Sequence, residues 1–450
     1  MMTQKTGFGL ILAASASLAL PLAALADGTI QVLVGEKDSP AAANAEKMAN
    51  GTSIFAEKSL QKAFDTAIEK VTACGTCTVL VKVAGGAYQG KGGSGQWIVP
   101  EVKAPGATLR FVGGYDNEFK ARDPFARPSV MVGTANRSAP MFTMDGKNAA
   151  LKEFQISGFV MDVAPGNKYD AKSNSLKRGE SCTFPILNLG YLQIEKMTLS
   201  DNILMNAAQR GVEPLPRAAN PNAEIIVRNN FFLNNVLALK VDSARFRNKP
   251  KRYAVTGNSF ISNWPYNPDP NTSNPAAVQV GPKDAAEQVE ISDNLFAFNV
   301  GGAIMPGYDD KAGPKIAIRN NLFHMNGVLF GKDDAAAGMV VGKFNRAATY
   351  GVYTPTDLED FSWEVKGNQV ADPQVGVSLV KPGVVDSNSI TAEKTWVNDV
   401  RSMFGQNLQG GTAAISNFAP RMGVDLKQLP FPRNAAAKAF GVSVARVEQF

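Results

Sequence analysis

The chain has 450 residues, with 46 Lys+Arg against 40 Asp+Glu and a formal net charge of +6. So mild a basicity falls well short of a nucleic-acid footprint and suits an acidic glycan or envelope partner. Such a length would ordinarily suggest two or three domains, but repeat folds escape that rule because each unit contacts only its neighbours.

The first residues read as an export leader. Lys5 gives a weakly positive start, Gly9 to Leu20 an apolar core, and Ala24-Leu25-Ala26 a small-x-small cleavage site, so the mature chain is expected to begin near Asp27. The apolar core is shorter than the ~18–20 residues that span a bilayer, and no later segment is longer. No cysteine sits near the cleavage site to accept a lipid. The expected location is secreted or periplasmic, with no membrane span.

Three cysteines occur, Cys74, Cys77 and Cys182. Ser59 to Ala73 is patterned as an amphipathic helix through Leu60, Phe64, Ala67, Ile68 and Val71, and Thr78 to Val83 as a strand. Cys74-Gly-Thr-Cys77 therefore follows a helix rather than opening one. The helix dipole that activates a redox thiol is on the wrong side, and a small structural disulfide is preferred. The helix is expected to cap the open apolar end of a solenoid.

A repeat of the form apolar-x-apolar-x-x-Asn-x-Phe then runs through Ile225-Ile-Val-Arg-Asn-Asn230-Phe-Phe232, Tyr253-Ala-Val-Thr-Gly-Asn258-Ser-Phe260, Val289-Glu-Ile-Ser-Asp-Asn294-Leu-Phe296 and Ile316-Ala-Ile-Arg-Asn-Asn321-Leu-Phe323. Weaker copies place Asn202 and Asn368 in the same series. Alternation before each Asn means a short strand with one buried face, which can be buried only by stacking on the next copy. The aligned phenylalanines should form an internal stack and the asparagines a ladder, each amide also serving a sharp turn and tolerating left-handed dihedrals there. A second row, Asn235, Asn263, Asn299 and Asn326, keeps the same register.

Each rung shows another strand: Gly211-Val-Glu213, Ala238-Leu-Lys240, Ala277-Val-Gln279, Ala303-Ile-Met305 and Val328-Leu-Phe330. Alternation turns Glu213, Lys240, Gln279, Met305 and Phe330 outward. Trp264 to Pro275 and Val341 to Phe361 read as surface insertions, and Ala435 to Phe450 as a helically patterned tail able to cap the far end.

Ser59-Leu-Gln-Lys-Ala-Phe-Asp65 followed by Thr78-Val-Leu-Val-Lys-Val-Ala-Gly-Gly-Ala-Tyr88 resembles the opening of the pectate-lyase-like superfamily of bacterial right-handed parallel β-helix proteins. Gly113-Gly114-Tyr115 with Arg122-Asp123-Pro124 is similar to an element of some secreted members. The resemblance covers roughly residues 55 to 380. It implies an all-β, right-handed parallel β-helix with an N-terminal capping helix and a C-terminal tail. The expected divisions are a leader at 1–26, a cap and first rungs at 27–110, the coil at 111–390 and a capping tail at 391–450. This fold carries lyases, hydrolases, epimerases, adhesins and structural proteins alike, so it does not fix the activity.

Uronate lyases and epimerases need a base and a cation for the substrate carboxylate, and glycoside hydrolases need paired carboxylates. The sole histidine, His324, follows Phe323 and reads as a turn residue, which makes His-dependent schemes poor candidates. The candidate catalytic set is Glu213, Lys240, Asp242 and Arg210 on one outward face. Its structural reading, a cross-strand ion pair, is preferred. Asp309, Asp310, Asp333 and Asp334 could hold Ca²⁺ through hard oxygen ligands, but Lys311 and Lys332 beside them favour a solvated mixed-charge turn. The run Arg245, Arg247, Lys249, Lys251 and Arg252, with Trp264 and Tyr266 one rung on, is the best candidate for binding polysaccharide: cations beside aromatic faces. The residues thus support a glycan-binding or glycan-processing protein, lyase-like or hydrolase-like if an enzyme. The competing reading is a non-catalytic envelope rod, favoured by the drift of the outward row from Lys240 to Met305 and Phe330.

Overall fold

The computed structural model describes residues 28–375 and 426–450, apart from positions 91–94, 134–139, 145, 147, 168, 171–174, 177–184, 191, 208–209, 214–216, 219, 242–249, 265–275, 281–286, 307–314, 328–339, 343–350 and 354–362. Three parallel sheets run along a coil. A long sheet has 13 strands, a second has nine, and the third is made of blocks of three and five strands joined through bridges from Leu187 to Val212 and from Val212 to Leu239. One rung contributes Glu224–Arg228, Phe231–Leu233 and Leu239–Val241 to the three sheets in turn. The next contributes Arg252–Thr256, Ser259–Ile261 and Val278–Val280 in matching register.

The rung corners explain this geometry. The residue before each ladder asparagine is left-handed: Asp201, Asn229, Gly257, Asp293, Asn320 and Gly367 have φ between 50° and 68°. The second corner repeats the device at Asn206, Asn234, Ser262, Phe298 and Met325. Sequence reasoning placed that conformation on the ladder asparagines themselves. The structure moves it one residue earlier, because the bend there turns the following amide into the coil.

Buried amides must be satisfied, and these are. Asn258 donates through Nδ2 to Asn294 Oδ1 at 3.0 Å and to the Val227 carbonyl at 2.9 Å. Its Oδ1 accepts from the Asn230 backbone N–H at 3.0 Å and side chain at 2.9 Å. The chain of side-chain bonds runs unbroken from Asn202 to Asn368. The phenylalanines also align as expected: Phe232, Phe260, Phe296 and Phe323 stack with centroids 4.7, 4.9 and 5.2 Å apart and planes within 7°.

At the N-terminal end the helix spans Leu60–Cys74, with Ser59 accepting from the Lys62 N–H and Gly75 left-handed at φ 72°. Its apolar stripe enters the coil, where Phe64 meets Phe111 at 4.4 Å and Phe142 at 5.5 Å. Cys74 and Cys77 form a disulfide just past this helix. Strands Thr29–Val34 and Ile54–Glu57 extend the long sheet beyond it, with helix Pro40–Met48 between them. In the third sheet Ile304 pairs with Val340, which adds strand Val340–Gly342; the expected strand Val328-Leu-Phe330 lies outside the described residues. Val340–Gly342 then pairs antiparallel with Gly351–Tyr353, giving the second insertion a hairpin.

The described part of the tail, 426–450, lies along the coil and not over its end. Residues 426–450 contain only short 3₁₀ turns, at Leu426–Gln428, Ala436–Ala439 and Val444–Arg446, and run back along the coil as a strap. Arg433 N–H bonds the Pro373 carbonyl at 3.1 Å and Gly441 N–H the Asp293 carbonyl at 2.8 Å. Further along, Val442 N–H bonds Ser259 Oγ and Ser443 exchanges two hydrogen bonds with Asn229. Beneath the strap lies a second core: Leu429, Phe440 and Val442 cover Phe231, Leu233, Ile261 and Leu295 on the outer face of the nine-stranded sheet.

Arg122 anchors the strap's far end. It is 4% exposed and paired to Asp201 at 3.0 Å. It also donates to the Gly113 carbonyl, to Ser157 Oγ and to the Glu448 carbonyl. Gly114, at φ 86°, lets the chain return at this point, since a Cβ there would stand 2.5 Å from Pro124 Cα. The Gly-Gly-Tyr and Arg-Asp-Pro elements are thus two halves of one clasp.

Tyr88 and Tyr115 are held by the Ala84 and Phe450 carbonyls at 2.8 and 3.2 Å. Burial pushes both phenols above the ordinary tyrosine range, with Glu36 adding to the shift at Tyr88 and Arg122 opposing it at Tyr115. Their contribution to stability is complete below an unfolded-chain pKa of about 10 and is lost as pH climbs beyond it. In an alkaline titration, at least two of the nine tyrosines should ionise only as strand circular dichroism collapses. Nine phenols titrating together in an intact fold would count against these environments.

Candidate functional site

The outward row of the third sheet holds the candidate catalytic set. Glu213 is 8% exposed there and sits between two cations. Its Oε1 accepts from Lys240 Nζ at 2.7 Å and its Oε2 lies 2.5 Å from Arg210 Nη1. The Val212–Leu239 bridge sets this meeting, since it stacks the two short strands with their next residues on one face. Both cations address the same carboxylate. Removing either partner of such a buried cluster leaves an uncompensated charge. Along the row Lys240 aligns with Gln279 and Met305, and those two are only 8% and 4% exposed. The alternation that made them outward is correct, but this stretch is not an open cleft.

The binding set fares similarly where it is described. Trp264, expected as a sugar platform, is 2% exposed and gives its indole N–H to Asn234 Oδ1 at 2.7 Å, beside Val236 and Phe298 in the second core. A ring whose faces are packed cannot stack on a sugar. Arg252 opens a long-sheet strand and pairs with Glu290, while Lys251 is exposed. Arg245, Arg247, Lys249, Tyr266 and Asp242 lie outside the described residues.

So do Asp309, Asp310, Asp333 and Asp334, the candidate Ca²⁺ ligands. Among the described residues no group of three or more His, Cys, Asp or Glu side chains is placed to hold a metal ion. His324 is the last residue of strand Leu322–His324 rather than a turn residue. It stands edge-on to Phe298 and 3.7 Å from Asp372.

Sequence reasoning missed the outer face of the long sheet. There Glu153, Lys196, Glu224, Arg252, Gln288 and Lys315 fall in one register row, nearly alternating in sign. A second row, Arg110, Gln155 and Thr198, runs beside it. The signal was present, since Glu224, Ile226 and Arg228 alternate with buried Ile225 and Val227. It needed the same alignment that was applied only to the shorter strands.

Stacked parallel strands, internal amide and aromatic ladders and polar outward rows define an all-β parallel solenoid, a parallel β-helix. Comparison of the chain with protein-family models, with curated proteins and with solved structures gives no match. No helix among the described residues is long and apolar enough to cross a membrane.

Proposed function

We propose that this chain is an exported, polysaccharide-binding right-handed β-helix of the pectate-lyase-like type, acting as a rigid scaffold for an acidic glycan rather than as an enzyme. The observation that carries the reading is the row of charged side chains repeated rung by rung on the long sheet. Stacked strands repeat at ~4.8 Å, close to the length of one sugar ring along a glycan chain. A glycan lying along the coil axis would therefore meet a fresh set of donors and acceptors at each residue. The leader-like Lys5 to Ala26 segment and the Cys74–Cys77 disulfide support export. The Arg210, Glu213 and Lys240 cluster, with one carboxylate engaged by two cations and a residual positive charge, supports binding of an acidic chain over bond cleavage.

The test is a panel of acidic polysaccharides, with and without Ca²⁺, examined by affinity electrophoresis while unsaturated-uronate absorbance and new reducing ends are followed. Retardation without product is expected. Product formation abolished by Lys240→Ala would sink the non-catalytic reading and return the triad to catalysis. Neither retardation nor product would leave the rod reading, which the unbroken ladders favour.

A further inference from the structure

The strap does more than cover an apolar face. Where it ends, Glu448, Gln449 and Phe450 wall a groove of about 470 Å³ on the long sheet, floored by Arg110, Glu153, Gln155, Lys196 and Thr198. We propose that this groove is a subsite for one or two sugar units bearing a negative charge, a site complete only while the strap is docked. The inference rests on the polysaccharide-binding reading and gives it a location on the long sheet, away from the third-sheet row.

Four observations meet here. The volume falls within the ~300–1,000 Å³ of small-ligand sites. Two of the groove's three cations are engaged, Arg110 lying 3.8 Å from Glu153 and Arg228 pairing with Glu448. Lys196, half-exposed between Glu153 and Glu224 in its row, has no ion-pair partner among the described residues. It is the group left to meet a ligand's carboxylate. The Phe450 ring lines the groove, held by the Arg110 and Arg122 guanidiniums 5.8 and 5.6 Å from its centroid and by the apolar cluster around Tyr115 and Phe119, so it offers a ligand a fixed apolar edge. Gln155 and Thr198, each 7% exposed, give a polar floor, and Gln155 Nε2 fixes Glu448 at 3.0 Å.

The full mature chain is titrated calorimetrically with a galacturonate tetramer and with its methyl ester, an uncharged copy of the same chain. Lys196→Gln should weaken tetramer binding about tenfold, the loss of one charge-assisted hydrogen bond, with ester binding and melting temperature unchanged. Lys196→Arg should restore much of the affinity. Lys62→Gln, exposed on the capping helix and outside the row, should do nothing. Unaltered tetramer binding by Lys196→Gln would remove the subsite while leaving the glycan reading intact. Ester bound as tightly as acid, or binding confined to neutral glycans, would overturn the assignment of charge. A wild-type chain that binds no polysaccharide would defeat the underlying reading itself.

Discussion

Arg122→Met should destabilise the protein by ~3–5 kcal/mol, the usual cost of removing one partner from a buried ion pair. The guanidinium and the Asp201 carboxylate are both almost wholly shielded, at 0% and 1% side-chain exposure. Methionine keeps much of the volume but leaves Asp201 buried with its charge opposed only by neutral donors, Asn229 Nδ2 and Ser157 Oγ. The Glu448 carbonyl loses its donor as well, so the strap should loosen from its far end. Urea unfolding gives the magnitude, and limited proteolysis near residue 448 reports the strap. Adding Asp201→Asn should recover part of the loss, because the second change removes the orphaned charge. A loss under about 1 kcal/mol would mean that the clasp does not hold the fold.

The second large effect is expected in the aromatic stack. Phe296 is fully buried, and its ring lies between Phe260 at 4.9 Å and Phe323 at 5.2 Å. Alanine there opens a cavity that stacked, hydrogen-bonded rungs on either side cannot close, and ~3–5 kcal/mol should be lost. Phe296→Leu, which refills most of the space, should cost less than half as much. Equal losses for the two variants would point to a contact other than ring packing. A loss below about 1 kcal/mol for alanine would show that the site collapses freely.

The coil was legible because its constraint is strictly periodic. A strand that can bury its face only against its own next copy must repeat, and the asparagine and phenylalanine spacing recorded that demand in plain view. The helix over Leu60–Cys74 was equally clear, since amphipathic spacing and the Ser59 cap are local signals. The strap was not. Its contacts join residues more than 180 positions apart, Val442 to Ser259 and Ser443 to Asn229, and no local pattern encodes such a meeting. One trace was overlooked: Phe231-Phe-Leu233 and Ile203-Leu-Met205 are apolar at three successive positions, which a strand buried on one face alone does not require. That run announced a cover on the outside of the nine-stranded sheet.

The candidate site was less legible for a related reason. Glu213 and Lys240 were correctly brought together by alignment, and Arg210 joined them, but sequence could not show that one carboxylate faces both cations at 10% side-chain exposure. Trp264 misled because an aromatic beside an Asn- and Pro-rich insertion looks like a surface platform, whereas its indole N–H is tied into the second rung corner at Asn234. The Phe450 wall depends on a fold-back that composition does not disclose.

The most direct test of polysaccharide binding without cleavage is native mass spectrometry of the mature chain with a defined oligouronate, followed by release and weighing of the ligand. The account predicts a one-to-one complex from which the oligomer returns with its mass unchanged. An oligomer that returns shortened, or that never binds alongside a protein shown to be folded, would contradict it.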